Sequence, residues 1–421
     1  MSQFEIKGGF PIEGEIKVNG AKNSALKIIP AALLSEKKVK ISNFPFIEDT
    51  QKMLEIAQGF GAKITFDQKK KEVEIDPANL NNFKPQDDLV RKVRSSILFI
   101  GPLLCRLGKI QMPYPGGCVI GKRPIDIFLD GFEKFGAKIE WDSDQIKLTA
   151  PASGLRGTEI FFPKITVTGT EAMLMTAALA RGKTLLRNCA MEPEVVALAD
   201  YLNSIGAKIE GAGTSTIKVE GVKKISAEGE FKVIPDRIET GTFLMLGILA
   251  NSNLLIKNCN PDHLGAVASI LQKTGANFRM GEDFIEVKKR KSLKPVSVTT
   301  HEYPGFATDL QPPYTLLMTQ AKGTSLIHET IFEGRLFFTD QLNTMGANII
   351  MCDPHRVVVS GPTKLYGKKI SSPDLRAGIT MVLAGIIAEG TTIIDNIYQI
   401  DRGYEKIEER LRKIGVKIKR I

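Results

Sequence analysis

One short pattern recurs along the chain and constrains everything else. It reads Gly-Ala-Lys-Ile at Gly61, Gly136 and Gly206, Gly-Ala-Asn-Phe at Gly275, Gly-Ala-Asn-Ile at Gly346 and Gly-Val-Lys-Ile at Gly415. The spacings are 75, 70, 69, 71 and 69 residues, so six units account for all 421 residues. A fixed period of this kind means one supersecondary unit used repeatedly.

Each copy has the same local grammar. An amphipathic segment such as Met53-Leu54-Glu55-Ile56-Ala57 precedes the glycine, which then falls where a helix end requires positive φ. A short strand follows, then a polar turn, then a second strand such as Glu72–Ile75 or Thr216–Val219, the pattern of a hairpin. Further on comes an apolar helix leading into a β-branched strand: AALLSEKKVKI from Ala31, AALARGKTLLR from Ala177, LGILANSNLLI from Leu246 and LAGIIAEGTTII from Leu383. Alternating strands and helices predict the α/β class.

The two chain ends complement each other. The sixth unit stops at Gly-Val-Lys-Ile-Lys-Arg-Ile without its second strand, and the first unit begins with a spare one, Phe4-Glu5-Ile6-Lys7. The N-terminal strand is therefore expected to complete the C-terminal half. GEIKV at Gly14 and GEFKV at Gly229 mark the same point in the two halves. This predicts two three-unit domains, residues 22–230 and residues 1–21 plus 231–421. Two chain crossings would form a hinge, with the functional site in the cleft between the domains.

Composition narrows the class. Hydrophobic residues at 43% and charged residues at 25% exclude a globally disordered chain. Lys+Arg 57 against Asp+Glu 47 gives a net charge of +10, which suits an anionic ligand; the cations are scattered, without the long basic run of a nucleic-acid tail. The longest clean apolar run, Gly378–Ala388, is far too short to span a membrane, and MSQFEIKGGF lacks a leader layout. Five scattered cysteines and four scattered histidines predict neither a disulfide framework nor a metal cluster, so a cytoplasmic protein without metal is expected.

The repeat also aligns unusual side chains. Between the second strand of a unit and its apolar helix lie Lys22-Asn23, Arg91 and Arg94, Lys164 to Thr170, Arg237, Asp309 and Arg376, all at predicted helix starts. Helix N-termini present unsatisfied N–H groups and a positive dipole end, so such a set predicts a phosphate or carboxylate site. For any single arginine, a surface ion pair is the plainer explanation. The segment Tyr114–Pro124 is rich in Gly and Pro and carries Cys118 beside Lys122 and Arg123. Nearby positive charge lowers a thiol pKa and raises its reactivity; a cysteine tucked under a loop is the alternative. Cys105, Cys189, Cys259 and Cys352 sit in apolar helix or strand contexts and are expected to be buried bystanders. His328 and His355 are expected to be structural. Neither a P-loop nor a dinucleotide, zinc-protease or serine-hydrolase signature is present.

Seven blocks now carry a resemblance: GEIKVNGAKNSAL at Gly14, PGGCVIGKRPIDI at Pro115, PDRIETGTFL at Pro235, FATDLQ at Phe306, ETIFEGR at Glu329, DLRAG at Asp374 and IDRGYE at Ile400. In order and spacing the chain resembles, over essentially its full length, the UDP-N-acetylglucosamine 1-carboxyvinyltransferase family of enolpyruvyl transferases. The resemblance implies a two-domain inside-out α/β barrel of six repeats. It implies transfer of the enolpyruvyl group of phosphoenolpyruvate to the 3′-hydroxyl of UDP-N-acetylglucosamine, through a tetrahedral ketal and with release of phosphate. It further implies a role in bacterial peptidoglycan synthesis, sensitivity to fosfomycin, a monomer, no cofactor, and neither nucleic acid nor membrane as partner.

Residue by residue, the resemblance implies Cys118 as general acid and Asp309 as the group that takes or orients the sugar hydroxyl proton. Lys22, Arg123 and Arg402 would hold the phosphate of phosphoenolpyruvate, Arg335 and Arg376 its carboxylate, and Asn23 its transferred group. Asp374 would be a second acid–base group. Arg94, Arg123, Pro124, Ile125, Asp126, Ile127, Lys164, Ile165, Thr166, Val167, Asp309 and Ile331 would line the UDP-sugar site. The chain departs from the family at Thr166-Val167-Thr168-Gly169-Thr170, where many members read Ser-Val-Gly-Ala-Thr, and this bears on backbone contacts to the diphosphate.

Three rivals are distinguishable. The sister transferase that uses shikimate 3-phosphate lacks the Cys-bearing loop and opens differently from AKNSAL. A basic polyanion-binding repeat protein gives no reason for that loop or for Asp309 among cations. A degenerate regulator would not keep the full charged set.

Overall fold

In the computed structural model, residues 2–116, 120–121, 124–226 and 228–421 are described. All six repeat glycines adopt positive φ, between 82° and 109°. A side chain there costs roughly 1–2 kcal/mol, which explains why the pattern is anchored on glycine. Each glycine ends a helix: Glu48–Gly59, Asp126–Lys134, Pro193–Ser204, Gly265–Lys273, Thr339–Thr344 and Ile407–Arg412. Each opens a strand: Lys63–Asp67, Lys138–Asp142, Lys208–Glu210, Asn277–Met280, Asn348–Asp353 and Lys417–Arg420.

The strands form six small sheets among the described residues, five of four strands and one of three. Three follow a local rule. Glu159–Phe161 pairs parallel with Lys183–Arg187, Val298–Thr299 with Gly323–His328, and Lys369–Ser371 with Thr391–Asp395, each across one intervening apolar helix. Two sheets break it by exchange. Gly14–Lys17 precedes the Lys22–Ala32 helix yet pairs parallel with Leu254–Lys257; Gly229–Lys232 precedes the Arg237–Leu249 helix yet pairs parallel with Val39–Ser42. Phe4–Lys7 pairs antiparallel with both Lys417–Arg420 and Thr391–Asp395, supplying the strand that the last unit lacks. The three-stranded sheet, Lys109–Pro113, Gln145–Thr149 and Lys138–Asp142, has no parallel fourth strand; there the Gln111 N–H bonds the Phe83 carbonyl at 2.9 Å.

The chain divides into two compact units. One comprises the residues up to Asn19, Pro235–Ile421 and the short piece holding Ile120 and Gly121; the other comprises the rest of Gly20–Ile234. Each has its own apolar core. The central helices are apolar all round and demand cover on every side. Leu375–Ile387 buries eleven of its 13 residues, Arg237–Leu249 twelve of 13 and Val167–Leu179 ten of 13. The strands have one buried face: Thr184 and Leu186 of Lys183–Arg187 point inward while Lys183 and Arg187 are exposed. Full burial of each Leu or Ile contributes about 1.5–3 kcal/mol, so these helices are the main source of stability. Among the described residues, no helix is long and apolar enough to cross a membrane.

Two local expectations are corrected. Cys352 is exposed, because alternation along Asn348–Asp353 places it on the outward face with Asn348 and Ile350. Arg91 does not open a helix. It lies in the last turn of Asp87–Lys92, where its charge suits the negative helix end, and it pairs with Asp144.

Candidate active site

In the unit containing Pro235–Ile421, three candidate residues, Arg237, Asp309 and Arg376, stand at or just before helix starts. Arg237 opens the Arg237–Leu249 helix behind an Asp236 cap, whose carboxylate accepts from the Ile238 and Glu239 amides at 2.8 and 3.0 Å. Asp309 sits in the short turn Thr308–Leu310 that leads into Gln311–Met318. Arg376 is the second residue of Leu375–Ile387, whose cap is Asp374. Asp374 Oδ1 accepts from the Arg376 and Ala377 amides at 2.8 and 3.1 Å, so this carboxylate already holds the helix end that aims Arg376.

Asp309 is clasped by two arginines. Arg335 Nη2 reaches Oδ1 at 3.0 Å; Arg376 Nε and Nη2 reach Oδ2 at 3.0 and 2.8 Å. Both guanidiniums are buried, at 2% and 6% side-chain exposure, while Asp309 keeps 24%. Burial by itself would raise the Asp309 carboxyl. The charges of Arg376 and Arg335, the Arg376 hydrogen bond and the more distant Arg237 outweigh it, and the carboxyl is held well below the usual range. Among the described residues, Arg335 Nε and Nη1 are buried without a hydrogen-bond partner. A planar guanidinium with spare buried donors is built to receive another anion. Ile331 is half-buried on the loop before Arg335, and Arg402, also half-buried, donates to Gln399 Oε1 at 3.1 Å.

The other unit presents a second set of helix starts. Lys22 opens Lys22–Ala32, with the half-buried Asn23 beside it; Lys22 is 8% exposed and its Nζ lies 2.8 Å from Asp49. Arg94 opens a 3-10 turn, Arg94–Phe99, and donates to the carbonyls of Pro115 and Pro124, both at 3.4 Å. It thus ties the two ends of the Gly-rich loop. Within that loop the Gly116 backbone lies against the Arg91 carbonyl, where any Cβ would collide. Ile125 is buried, Ile127 half-buried, and Pro124 and Asp126 exposed, with Asp126 opening the next helix. Lys164 is exposed and Ile165 half-buried; Thr166 caps the helix that Val167 opens. Cys118 and Arg123 lie outside the described residues.

The departure at Thr166–Thr170 has a steric logic. Thr166 Oγ1 accepts from the Gly169 amide at 3.2 Å, and a Cβ on residue 169 would collide with Thr166 Cγ2. Threonine at the cap therefore goes with glycine at 169, whereas serine, which lacks that methyl, leaves room for alanine.

Sequence reasoning missed three partners: Asp49 on Lys22, the buried pair Lys27–Glu171 at 3.0 Å, and Glu329. Only Glu329 lay within a quoted motif. The other cysteines differ in environment: burial pushes the Cys105 and Cys189 thiols up to about 12 and Cys259 to about 11, so none of these three is a ready nucleophile.

In the unit containing Pro235–Ile421 two buried guanidiniums meet one carboxylate beside helix starts, an arrangement whose chemistry suits phosphate or carboxylate ligands. The EPSP synthase (3-phosphoshikimate 1-carboxyvinyltransferase) family matches residues 6–411, and the chain belongs to this family of enolpyruvyl transferases. More particularly, it is 46% identical over 423 residues to a UDP-N-acetylglucosamine 1-carboxyvinyltransferase of Koribacter versatilis (strain Ellin345), spanning 100% of this chain and 97% of that protein. The crystal structure of the enolpyruvyl transferase NikO from Streptomyces tendae superposes with a TM-score of 0.91 at 26% identity, covering 100% of this chain and 98% of that one. EPSP synthase from Acinetobacter baumannii, at 18% identity and a TM-score of 0.77 over 100% of both chains, shares the fold.

Proposed function

We propose that the protein transfers the enolpyruvyl group of phosphoenolpyruvate to the 3′-hydroxyl of UDP-N-acetylglucosamine and releases phosphate. The observation that carries the chemistry is the Asp309–Arg335–Arg376 cluster, an ionised carboxylate on two buried guanidiniums, with Arg335 Nε and Nη1 to spare among the described residues. The acceptor is argued from the full-length relative named for that reaction. The finer architecture that accompanies this reading is an inside-out barrel of six repeats, in two domains of residues 22–230 and 1–21 plus 231–421. A role in peptidoglycan synthesis, a cytoplasmic location, a monomer and inhibition by fosfomycin belong to the same proposal.

The reaction has two halves. The sugar 3′-hydroxyl gives its proton to Asp309 as its oxygen bonds to C2 of phosphoenolpyruvate, and the C2–C3 π electrons take a proton at C3, giving a tetrahedral ketal. Loss of a C3 proton and of phosphate restores the double bond. No redox step and no cofactor is required. Cys118 supplies the C3 proton, and Asp374 is a second acid–base group. Arg335 and Arg376 clamp the carboxylate; Lys22, Arg123 and Arg402 hold the phosphate, with Asn23 against the transferred group. Arg94, Arg123, Pro124 to Ile127, Lys164 to Val167, Asp309 and Ile331 receive the UDP-sugar.

Asp309 has a role that its electrostatics make specific. Held ionised by two arginines, it accepts a hydrogen bond from the sugar hydroxyl at any physiological pH but is a weak base. When the phosphoenolpyruvate carboxylate joins the same guanidiniums, a second negative charge shares their field. Asp309 therefore becomes more basic once phosphoenolpyruvate is bound.

The test is phosphate release from phosphoenolpyruvate with UDP-N-acetylglucosamine or shikimate 3-phosphate as acceptor, in wild type and Cys118→Ala. Release with the UDP-sugar alone, lost or greatly slowed in the variant, is expected. Release unchanged in the variant removes the acid role of Cys118; release only with shikimate 3-phosphate overturns the acceptor.

A further inference from the structure

Glu329 is fully buried, and its carboxylate is spent on two segments of the site. Oε2 accepts from the Thr308 hydroxyl at 2.8 Å, on the residue before Asp309. Oε1 accepts from the amides of Ile331 at 2.8 Å and Phe332 at 3.1 Å, on the loop that runs to Arg335. Its own backbone is fixed in turn. The Glu329 amide donates to the His355 carbonyl at 2.7 Å, and its carbonyl meets His355 Nδ1 at 2.7 Å. One side chain therefore joins the turn that presents Asp309 to the loop that presents Ile331 and Arg335.

We infer that Glu329 is a positioning residue for the transfer: its carboxylate sets the Thr308–Asp309 turn in register with the Ile331–Arg335 loop. A buried carboxylate is costly unless every lone pair is used, and here the three bonds come from site segments and none from the surrounding core. A neutral apolar residue of similar size would fill the space without that cost. The geometry assigns the side chain's two acceptor oxygens to alignment. Loss of the side chain frees three donors, and a shift of about 1 Å at Asp309 or the Ile331 backbone is enough to cost on the order of 10²-fold in rate.

The inference rests on the proposed roles of Asp309 and Ile331, so its test is read in two ways. Phosphate release is measured for Glu329→Ala, Glu329→Gln and, as a control, Thr300→Val. Thr300 Oγ1 accepts from the Thr330 amide at 2.9 Å, so its loss loosens the same loop without touching Thr308. Glu329→Ala is expected to lower kcat on the order of 10²-fold and to raise KM for the UDP-sugar more than KM for phosphoenolpyruvate. Glu329→Gln keeps an acceptor for the two amides and is expected to recover most of the activity. Thr300→Val is expected to lose thermal stability yet keep kcat within about threefold. Glu329→Ala with kcat and both KM values near wild type overturns the inference, as does an equal loss of kcat in Thr300→Val. Should wild type turn over neither acceptor, the functional reading fails, and alignment is judged by hydrogen exchange at the Ile331 and Phe332 amides. Faster exchange in Glu329→Ala supports the positioning role; unchanged exchange contradicts it.

Discussion

Two carboxylates on equivalent helix starts, one in each unit, have opposite fates. Glu171 lies in the first turns of Val167–Leu179, fully buried, with Lys27 at 3.0 Å as its one paired cation among the described residues. Desolvation dominates: the carboxyl is pushed up to about 7, with Lys27 opposing and the neighbouring Glu194 and Glu192 adding to the rise. Asp309 keeps partial exposure and has two arginines, and it is held ionised. The lesson is one of cation number and geometry. One ammonium does not offset the desolvation of a buried carboxylate, whereas two forked guanidiniums with residual solvent do so with margin. Glu171 is poised to lose its charge near neutral pH, whereas Asp309 keeps a charge available for substrate.

Arg376→Leu breaks the contrast most severely. It removes two of the three bonds to Asp309 and leaves Arg335 as its ion-pair partner among the described residues. Activity is expected to fall on the order of 10³-fold in phosphate release, the range found when a charge-stabilising donor is lost. The Asp309 carboxyl should titrate at higher pH, read by carbon-13 NMR of labelled aspartate; an unmoved titration would separate the arginine from Asp309.

Replacing both members of the other pair, Lys27→Met with Glu171→Leu, sharpens it. Because the Glu171 carboxyl is raised in the folded state, its contribution is fully present below the unfolded value near 4.5 and is lost as pH climbs to about 7. From about pH 5.5 to pH 8 the wild type should lose about 2 kcal/mol through this group. The double variant should lack that slope, stay as stable as wild type at pH 8, and retain turnover within about threefold, since a buried ion pair is often replaceable by well-packed apolar groups. Asp309 carries the reverse sign: its contribution is present above the unfolded value near 3.8 and is lost as pH falls below it. Urea unfolding across pH reads both. A pH slope that persists in the double variant would place the titrating group elsewhere.

The smallest expected effect concerns the Thr166 cap. Gly169→Ala alone should cost about 1 kcal/mol by displacing the cap, and Thr166→Ser with Gly169→Ala should restore it. Thermal midpoints decide; an equal loss in both variants would contradict the steric pairing.

Much of this was legible in the sequence because the repeat samples the same geometry six times. The glycine at each helix end is forced by backbone sterics, and the strand faces by alternation, so both are local and readable. The pairing of Phe4–Lys7 with Lys417–Arg420 was legible because one unit had a strand too few and another a strand too many. The exchange of Gly14–Lys17 and Gly229–Lys232 was not, since both read as ordinary first strands and only tertiary pairing decides their partner. Among site residues, the cations at helix starts were visible by position. Their partners were not: Asp49 lies 27 positions beyond Lys22, Glu171 lies 144 beyond Lys27, and no period links them. Asp309 was visible, but its clasp by Arg335 and Arg376, and hence its weak basicity, needed the fold. The same holds for Glu329, which the ETIFEGR block contains without revealing that its charge faces inward.

The most direct test of the central claim is the structure of the product. With phosphoenolpyruvate labelled with carbon-13 at C2 and UDP-N-acetylglucosamine as acceptor, the account predicts a new vinyl-ether carbon coupled to the sugar 3-position, appearing as inorganic phosphate accumulates. Label that stays in phosphoenolpyruvate, or appears on shikimate 3-phosphate and never on the UDP-sugar, would contradict it.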